Sequence, residues 1–287
     1  MDRVVRGMTV AVDHGVHELL DSLAQLDGLL VAFSGGTDSA FVLAAAARVL
    51  GSDRVVAATA VSPSLPAVEL EAASAFAAQL GVRHEMPRTD EMSREGYRAN
   101  AGDRCYFCKA ELLDTLRPLA DRLGIEHIAT GTNADDALAG FRPGIRAAAE
   151  RAALTPLLDA GLSKAAIRAA SRAWGLSTWD KPAAACLSSR VAFGIEISPV
   201  RLARVEHAET LARQALSRAG VQVVNLRVRD LGDRARIEVD PESVTAAAAT
   251  DVTDAVVSAG FAAAYVDATG FRSGALNELL AEPDKYR

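Results

Sequence analysis

Short apolar runs alternate, over the first two-thirds of the chain, with longer stretches of helix-forming composition. The run GLLVAF (28–33) has strand length and stops at Ser-Gly-Gly; the residues after it, DSAFVLAAAARVLG, predict a helix ended by its glycine. The unit then repeats. RVVAATAVS (54–62) predicts a second strand, PAVELEAASAFAAQLG (66–81) a helix with proline at its start, and VRHEMPR (82–88) a third strand. Further on, AELLDTLRPLADRLG (110–124) predicts a helix in spite of Pro118, and IEHIATGTN (125–133) a buried strand running into a polar turn. LSKAAIRAASRAWGL (162–176) predicts a helix capped by Ser163. Such alternation predicts an α/β fold, a parallel doubly wound sheet with helices on both faces, with ligands at the strand ends. STWDKPAAACLSSR (177–190), rich in small residues and turn formers, reads as a functional loop.

Beyond about residue 195 the pattern changes. SPVRLARVEHAETLARQALSRAG (198–220) predicts an amphipathic helix with serine at its cap and proline at its first position. VQVVNLRVR and ARIEV alternate like strands across the turn DLGD, PESVTAAAATDVTDAVVSAG (241–260) predicts another helix, and FAAAYVDA a last strand. A smaller α+β domain over 196–287 is expected to follow the first domain, 1–195; the length of 287 residues accommodates two.

The composition is that of a soluble globular protein, with 50% hydrophobic and 24% charged residues. No apolar run reaches the roughly 18 residues needed to cross a bilayer, and the N-terminus lacks a signal-peptide core, so a cytoplasmic location is expected. The net charge of −6 gives no general attraction to nucleic acid. Three cysteines, an odd number, fit ligands, nucleophiles or buried packing better than a disulfide framework.

SGGTDS (34–39) joins the first strand to the first helix of the sheet, so its N–H groups and the positive helix end can hold an anionic oxygen. It lacks the spacing and the lysine of a Walker A loop and also the dinucleotide fingerprint. Ser-Gly-Gly-x-Asp-Ser in this place resembles the pyrophosphate loop of the adenine nucleotide α-hydrolase families, which cleave ATP to AMP and pyrophosphate while adenylating a substrate. The resemblance implies that Ser34, Gly35, Gly36 and Ser39 hold pyrophosphate and that Asp38 helps to hold Mg²⁺, a hard cation suited to oxygen ligands. GTNADD (131–136) ends the next strand of the sheet; its adjacent carboxylates suit either a metal or a solvated helix start, with Thr132 and Asp135 as nucleotide-binding candidates.

Cys105 and Cys108 stand three apart in DRCYFCK, and Cys186 lies in the later loop. A closed zinc site wants four Cys or His ligands, and none of the five histidines is spaced to assist. A redox pair leaves Cys186 without a role. Three thiolates suit a [4Fe-4S] cluster with one iron open to an outside ligand. Buried packing by small thiols is the plain alternative.

Taken together, SGGTDS, RCYFCK, GTNADD, FRPG, SKAAIR, KPAAACLSSR, RVRDLGDRARIE and GFRSGALNE resemble the LarE-type ATP-dependent sulfur transferases, which make the thiocarboxylates of the nickel-pincer nucleotide. Some members give up the sulfur of one cysteine, at the position of Cys186; others use three cysteines to hold a [4Fe-4S] cluster that carries hydrosulfide. With all three present, the chain resembles the second group. The resemblance implies adenylation of a pyridinium carboxylate mononucleotide by MgATP, then sulfur transfer from an external sulfide donor, in a homo-oligomer. It also implies phosphate binding by Arg227 and Arg229, with Arg190, Glu206 and Arg272 as further substrate-binding candidates. Without it, the two strand arginines read more readily as solvated charges on an amphipathic strand. The competing readings are transfer RNA thiolation, which wants a basic surface, and a nucleotide or iron-sulfur sensor without turnover.

Overall fold

The computed structural model describes residues 14–138, 143–182 and 185–272. Residues 14–24 are helical (α1), and β1 (Leu29–Ala32), α2 (Thr37–Leu50), β2 (Val55–Ala58), α3 (Ala67–Gln79) and β3 (Arg83–Glu85) follow as the alternation predicts. Then come α4 (Glu95–Arg98), the long α5 (Arg104–Arg122), β4 (His127–Ala129), α6 (Ala134–Leu138), α7 (Pro143–Ala149), α8 (Pro156–Asp159) and α9 (Lys164–Ala173). Strand order is β3-β2-β1-β4, parallel throughout, so β1 and the loop that leaves it sit inside the sheet.

The apolar strands bury both faces, as parallel strands do. On one face lies α2, whose alanines and Phe41 are buried together with Phe76 of α3 and Ile167 of α9. On the other, Leu113, Leu116 and Ala120 of α5 meet Leu30, Val56 and Ile128. Trp174 packs on Phe41, ring centroids 4.7 Å apart. Ser163 caps α9, its hydroxyl accepting from Ala166 N at 3.2 Å.

Two of the predicted helices differ from the sequence expectation. Helix α5 starts at Arg104 and not near residue 110, which puts both cysteines of the pair in its opening turns, on one face because they are three apart. The helix predicted over 241–260 is divided into a 3₁₀ turn, Pro241–Ser243, and the helices α11 (Val244–Ala248) and α12 (Val252–Ser258), numbered after α10 (Pro199–Arg218). Thr250 makes the break: its hydroxyl donates to Ala247 O at 2.7 Å and accepts from Val252 N at 3.3 Å, taking over bonds that a continuous helix would need.

A second sheet, ordered β5 (Leu226–Asp230), β6 (Arg234–Val239), β7 (Ala263–Val266), has β5 antiparallel and β7 parallel to β6. Its core is not confined to the chain beyond residue 195. Tyr97, Leu187 and Val191 are buried in it with Val205, Ile237 and Val256, and Phe107 and Cys108 pack against it.

Asp230, fully buried, accepts from Arg201 at 2.7 Å, from Arg204 at 2.8 Å and from Gly232 N at 2.8 Å, joining β5 to α10. Loss of one member of a buried ion pair leaves uncompensated charge. Asp230→Ala is expected to cost about 3 kcal/mol of stability, read from the urea unfolding midpoint.

Candidate functional site

The phosphate loop occupies the carboxyl end of β1. Ser34 N donates to Ser39 Oγ at 3.3 Å, and the two serine hydroxyls lie 3.1 Å apart, which closes the loop over the first turn of α2. Gly35 has φ +72°, and a Cβ there would lie 3.1 Å from that of Ala73 on α3. Gly131 is constrained by space instead: a Cβ would come within 2.7 Å of Ser39 N, so only glycine lets the turn after β4 close on the loop.

These elements border one cavity of about 600 Å³. Into it face Ser34, Gly36, Asp38 and Ser39 from the loop, and Thr132 and Asp136 from the turn after β4. Asn133 Nδ2 donates to Asp38 Oδ2 at 3.2 Å, and Lys164 Nζ stands 3.8 Å from the same oxygen. Asp38 Oδ1 is buried with no hydrogen-bond partner among the described residues. Burial raises the Asp38 carboxyl above its usual range, with Lys164 and Asn133 pulling the other way. A buried, unshared carboxylate oxygen beside a phosphate loop fits a hard divalent cation.

Cys105 is exposed and lines this cavity, while Cys108 and Cys186 are half-buried behind it. The three thiols are electrostatic neighbours. Burial pushes the Cys108 thiol well up, and charge on Cys186, Glu91 and Cys105 pushes it further. Tyr97 is raised in the same way by burial and then by Cys186 and Cys108. Arg104 is buried among them; burial lowers its pKa, but the surrounding Cys186 and Cys105 outweigh that and leave it raised. Its guanidinium donates to Asn100 Oδ1 at 2.5 Å and Ser188 O at 2.8 Å. Asn100 Nδ2 in turn donates to Ala192 O at 2.8 Å and Ile195 O at 2.9 Å. The segment after Cys186 is thus stapled to the start of α5.

As they stand, no three His, Cys, Asp or Glu side chains among the described residues are close enough to hold a metal ion. The donor set nevertheless suits an iron-sulfur cluster: three thiols from two segments, with a buried guanidinium to offset their charge.

The remaining candidates divide. Arg190 is buried and donates to Glu209 at 3.0 Å and to the carbonyls of Ala185 and Cys186. Arg229 donates to Ser189 O at 3.0 Å and pairs with the buried Glu238 at 2.7 Å. Arg227 lies close to both; burial, then Arg190, brings its pKa down to about 10. These three form one cationic group beside the Cys186 segment. Glu206 is elsewhere, accepting from Ala67 N at the start of α3 at 2.9 Å. Asp135 turns to Lys164 N, the first helical N–H of α9, at 2.8 Å, so its neighbour Asp136 is the carboxylate at the cavity. Arg272 acts on Asp267, whose carboxyl it helps to lower. Of the quoted motifs, residues 141–142 of FRPG, 183–184 of KPAAACLSSR and 273–278 of GFRSGALNE lie outside the described residues.

Sequence reasoning passed over Lys109, Lys164 and Lys181, which all line the cavity. Lysine in SKAAIR and KPAAACLSSR, beside a phosphate loop that has none, was the available signal. Burial lowers the pKa of Lys109 against the pull of Cys108 and Cys105.

The family model for NAD synthase matches residues 11–102, the stretch that contains the phosphate loop. The chain is 43% identical over 271 residues to an uncharacterized protein of Synechocystis, covering 93% of this chain and 98% of that one. It is 31% identical over 266 residues to the pyridinium-3,5-bisthiocarboxylic acid mononucleotide synthase of Lactiplantibacillus plantarum, covering 92% and 94%. An uncharacterized protein of Methanocaldococcus jannaschii is 26% identical over 214 residues.

A carboxyl raised by the fold costs stability wherever it is ionised; that cost is absent below the ordinary value of 3.8 and complete above the raised value. Asp38→Asn is therefore expected to raise the melting temperature near pH 7, with the gain shrinking as pH falls toward 3.8. Thermal melts over a pH series check this, and a gain unchanged at low pH would contradict it.

Proposed function

The chain belongs to the same family as the pyridinium-3,5-bisthiocarboxylic acid mononucleotide synthase, and from that premise we propose that it is an ATP-dependent sulfur transferase acting on a pyridinium carboxylate mononucleotide. One observation carries the reading: Cys105 borders the phosphate-loop cavity and shares its neighbourhood with Cys108 and Cys186, so a sulfur source adjoins an adenylation site.

A carboxylate has no good leaving group. Attack of its oxygen on the α-phosphorus of ATP would expel pyrophosphate and leave an acyl adenylate; a sulfide nucleophile would then displace AMP and give the thiocarboxylate. The N–H groups at the start of α2 and the hydroxyls of Ser34 and Ser39 would receive the departing pyrophosphate. Mg²⁺ would be held through the unshared Oδ1 of Asp38. Cys105, Cys108 and Cys186 would be the ligands of a [4Fe-4S] cluster, which when bound supplies an open iron able to present sulfide. Arg104 offsets the charge of the thiolates and keeps the Cys186 segment at the head of α5.

The substrate's own phosphate suits Arg190, Arg227 and Arg229. Burial, and after it the charge of Arg190, depress Arg227, so an anion would favour its charged form, and guanidinium forks bind phosphate bidentately.

Anaerobic reconstitution is expected to load about four irons per chain, lost in Cys105→Ala. With the mononucleotide and MgATP, pyrophosphate release and a product heavier by the exchange of oxygen for sulfur are expected by mass spectrometry. No iron in either protein, with Cys186 lighter by one hydrogen sulfide after turnover, would make that cysteine the sulfur source and remove the cluster from the proposal.

A further inference from the structure

Lys181 lies five residues before Cys186 in the chain, yet its ammonium is on the phosphate loop: Nζ donates to Gly35 O at 3.0 Å and pairs with Glu69 Oε2 of α3 at 2.7 Å. Three segments meet at this point. Gly35 belongs to the loop and packs against Ala73 of α3, Glu69 belongs to the first turn of the same helix, and Lys181 belongs to the segment that leads to Cys186. That segment is held at other points too. Thr37, the first residue of α2, donates its hydroxyl to Thr178 O at 2.8 Å, Arg168 donates to Lys181 O at 2.9 Å, and beyond the cysteine Leu187 N donates to Ser64 O at 2.8 Å.

The loop has no lysine of its own, and Lys181 borders the cavity that the loop lines. An ammonium has three donors. Gly35 O takes one, while Glu69 Oε2, itself buried, pairs with the charge without a hydrogen bond. A triphosphate on the loop carries several negative charges against the single charge of Glu69.

We propose that Lys181 is a nucleotide-sensing latch for which Glu69 and the phosphates of ATP compete, so that nucleotide binding is coupled to the position of the segment bearing Cys186. The proposal rests on the reading of the loop as an ATP site and adds to it a residue that neither grips the reacting carboxylate nor carries sulfur. It acts through position: the anion that prepares the substrate also draws the chain that delivers sulfur. Coupling requires an element with two arrangements that both sites bias, and the choice of partner by one ammonium provides it.

The competition gives opposite signs for two neighbouring residues. Glu69→Gln, which removes the competing charge but keeps the shape, is expected to bind MgATP about fivefold or more tightly than the unaltered chain by calorimetry. Lys181→Gln is expected to bind it more weakly by a similar factor, and Lys181→Arg to recover part of the loss. Glu69→Gln added to Lys181→Gln should bring no further tightening, since the two residues act as one pair. Hydrogen exchange of the peptide spanning 178–191 should respond to MgATP in the unaltered chain and not in Lys181→Gln.

An ordinary structural ion pair would weaken ATP binding from either side. That result, or an exchange response that survives Lys181→Gln, overturns the latch. Failure of the unaltered chain to bind MgATP would overturn the ATP reading with it, so the two failures are distinguishable.

Discussion

The burial of Arg104 is the constraint on which the site depends. Three thiols from two segments some eighty residues apart in sequence share one neighbourhood only if those segments are held together, and the side chains of Arg104 and Asn100 do this through the carbonyls of Ser188, Ala192 and Ile195. A guanidinium is costly to take out of water unless its donors are used and its charge is balanced. The donors of Arg104 go to Asn100 Oδ1 and to the carbonyl of Ser188 in the Cys186 segment, and the neighbouring Cys186 and Cys105 favour its charged form.

The same economy governs the phosphate loop. Its closure depends on Gly131, the residue that allows the turn after β4 to approach Ser39 N, and that turn brings Thr132 and Asp136 to the cavity. β1 lies between β2 and β4, so the loop has neighbours on both sides.

What was legible in the chain was local. Apolar runs and glycine stops marked the four strands of the parallel sheet and the helices α2, α3 and α9, and proline and serine marked the start of α10. Helix α5 was cut short because DRCYFCK looks too polar and too rich in special residues for a helix start; its buried members, Arg104 above all, are satisfied only by groups far along the chain. Thr250 broke a helix through side-chain bonds that composition does not show. Asp135 and Asp136 look equivalent as letters, but the roughly 100° between adjacent positions of a helix sends the first to α9 and the second to the cavity. Lys181 could be read as part of a motif, while its place on Gly35, 146 residues away, is a property of the fold alone.

The second core draws Tyr97, Leu187 and Val191 together with residues as late as Phe261. During synthesis the amino-terminal sheet has all its strands once residue 129 has emerged, whereas the surroundings of Cys108 and Cys186 wait for nearly the whole chain. The two halves of the site thus close over different lengths of chain, the phosphate loop within the first sheet and the thiol neighbourhood only with residues as late as Phe261.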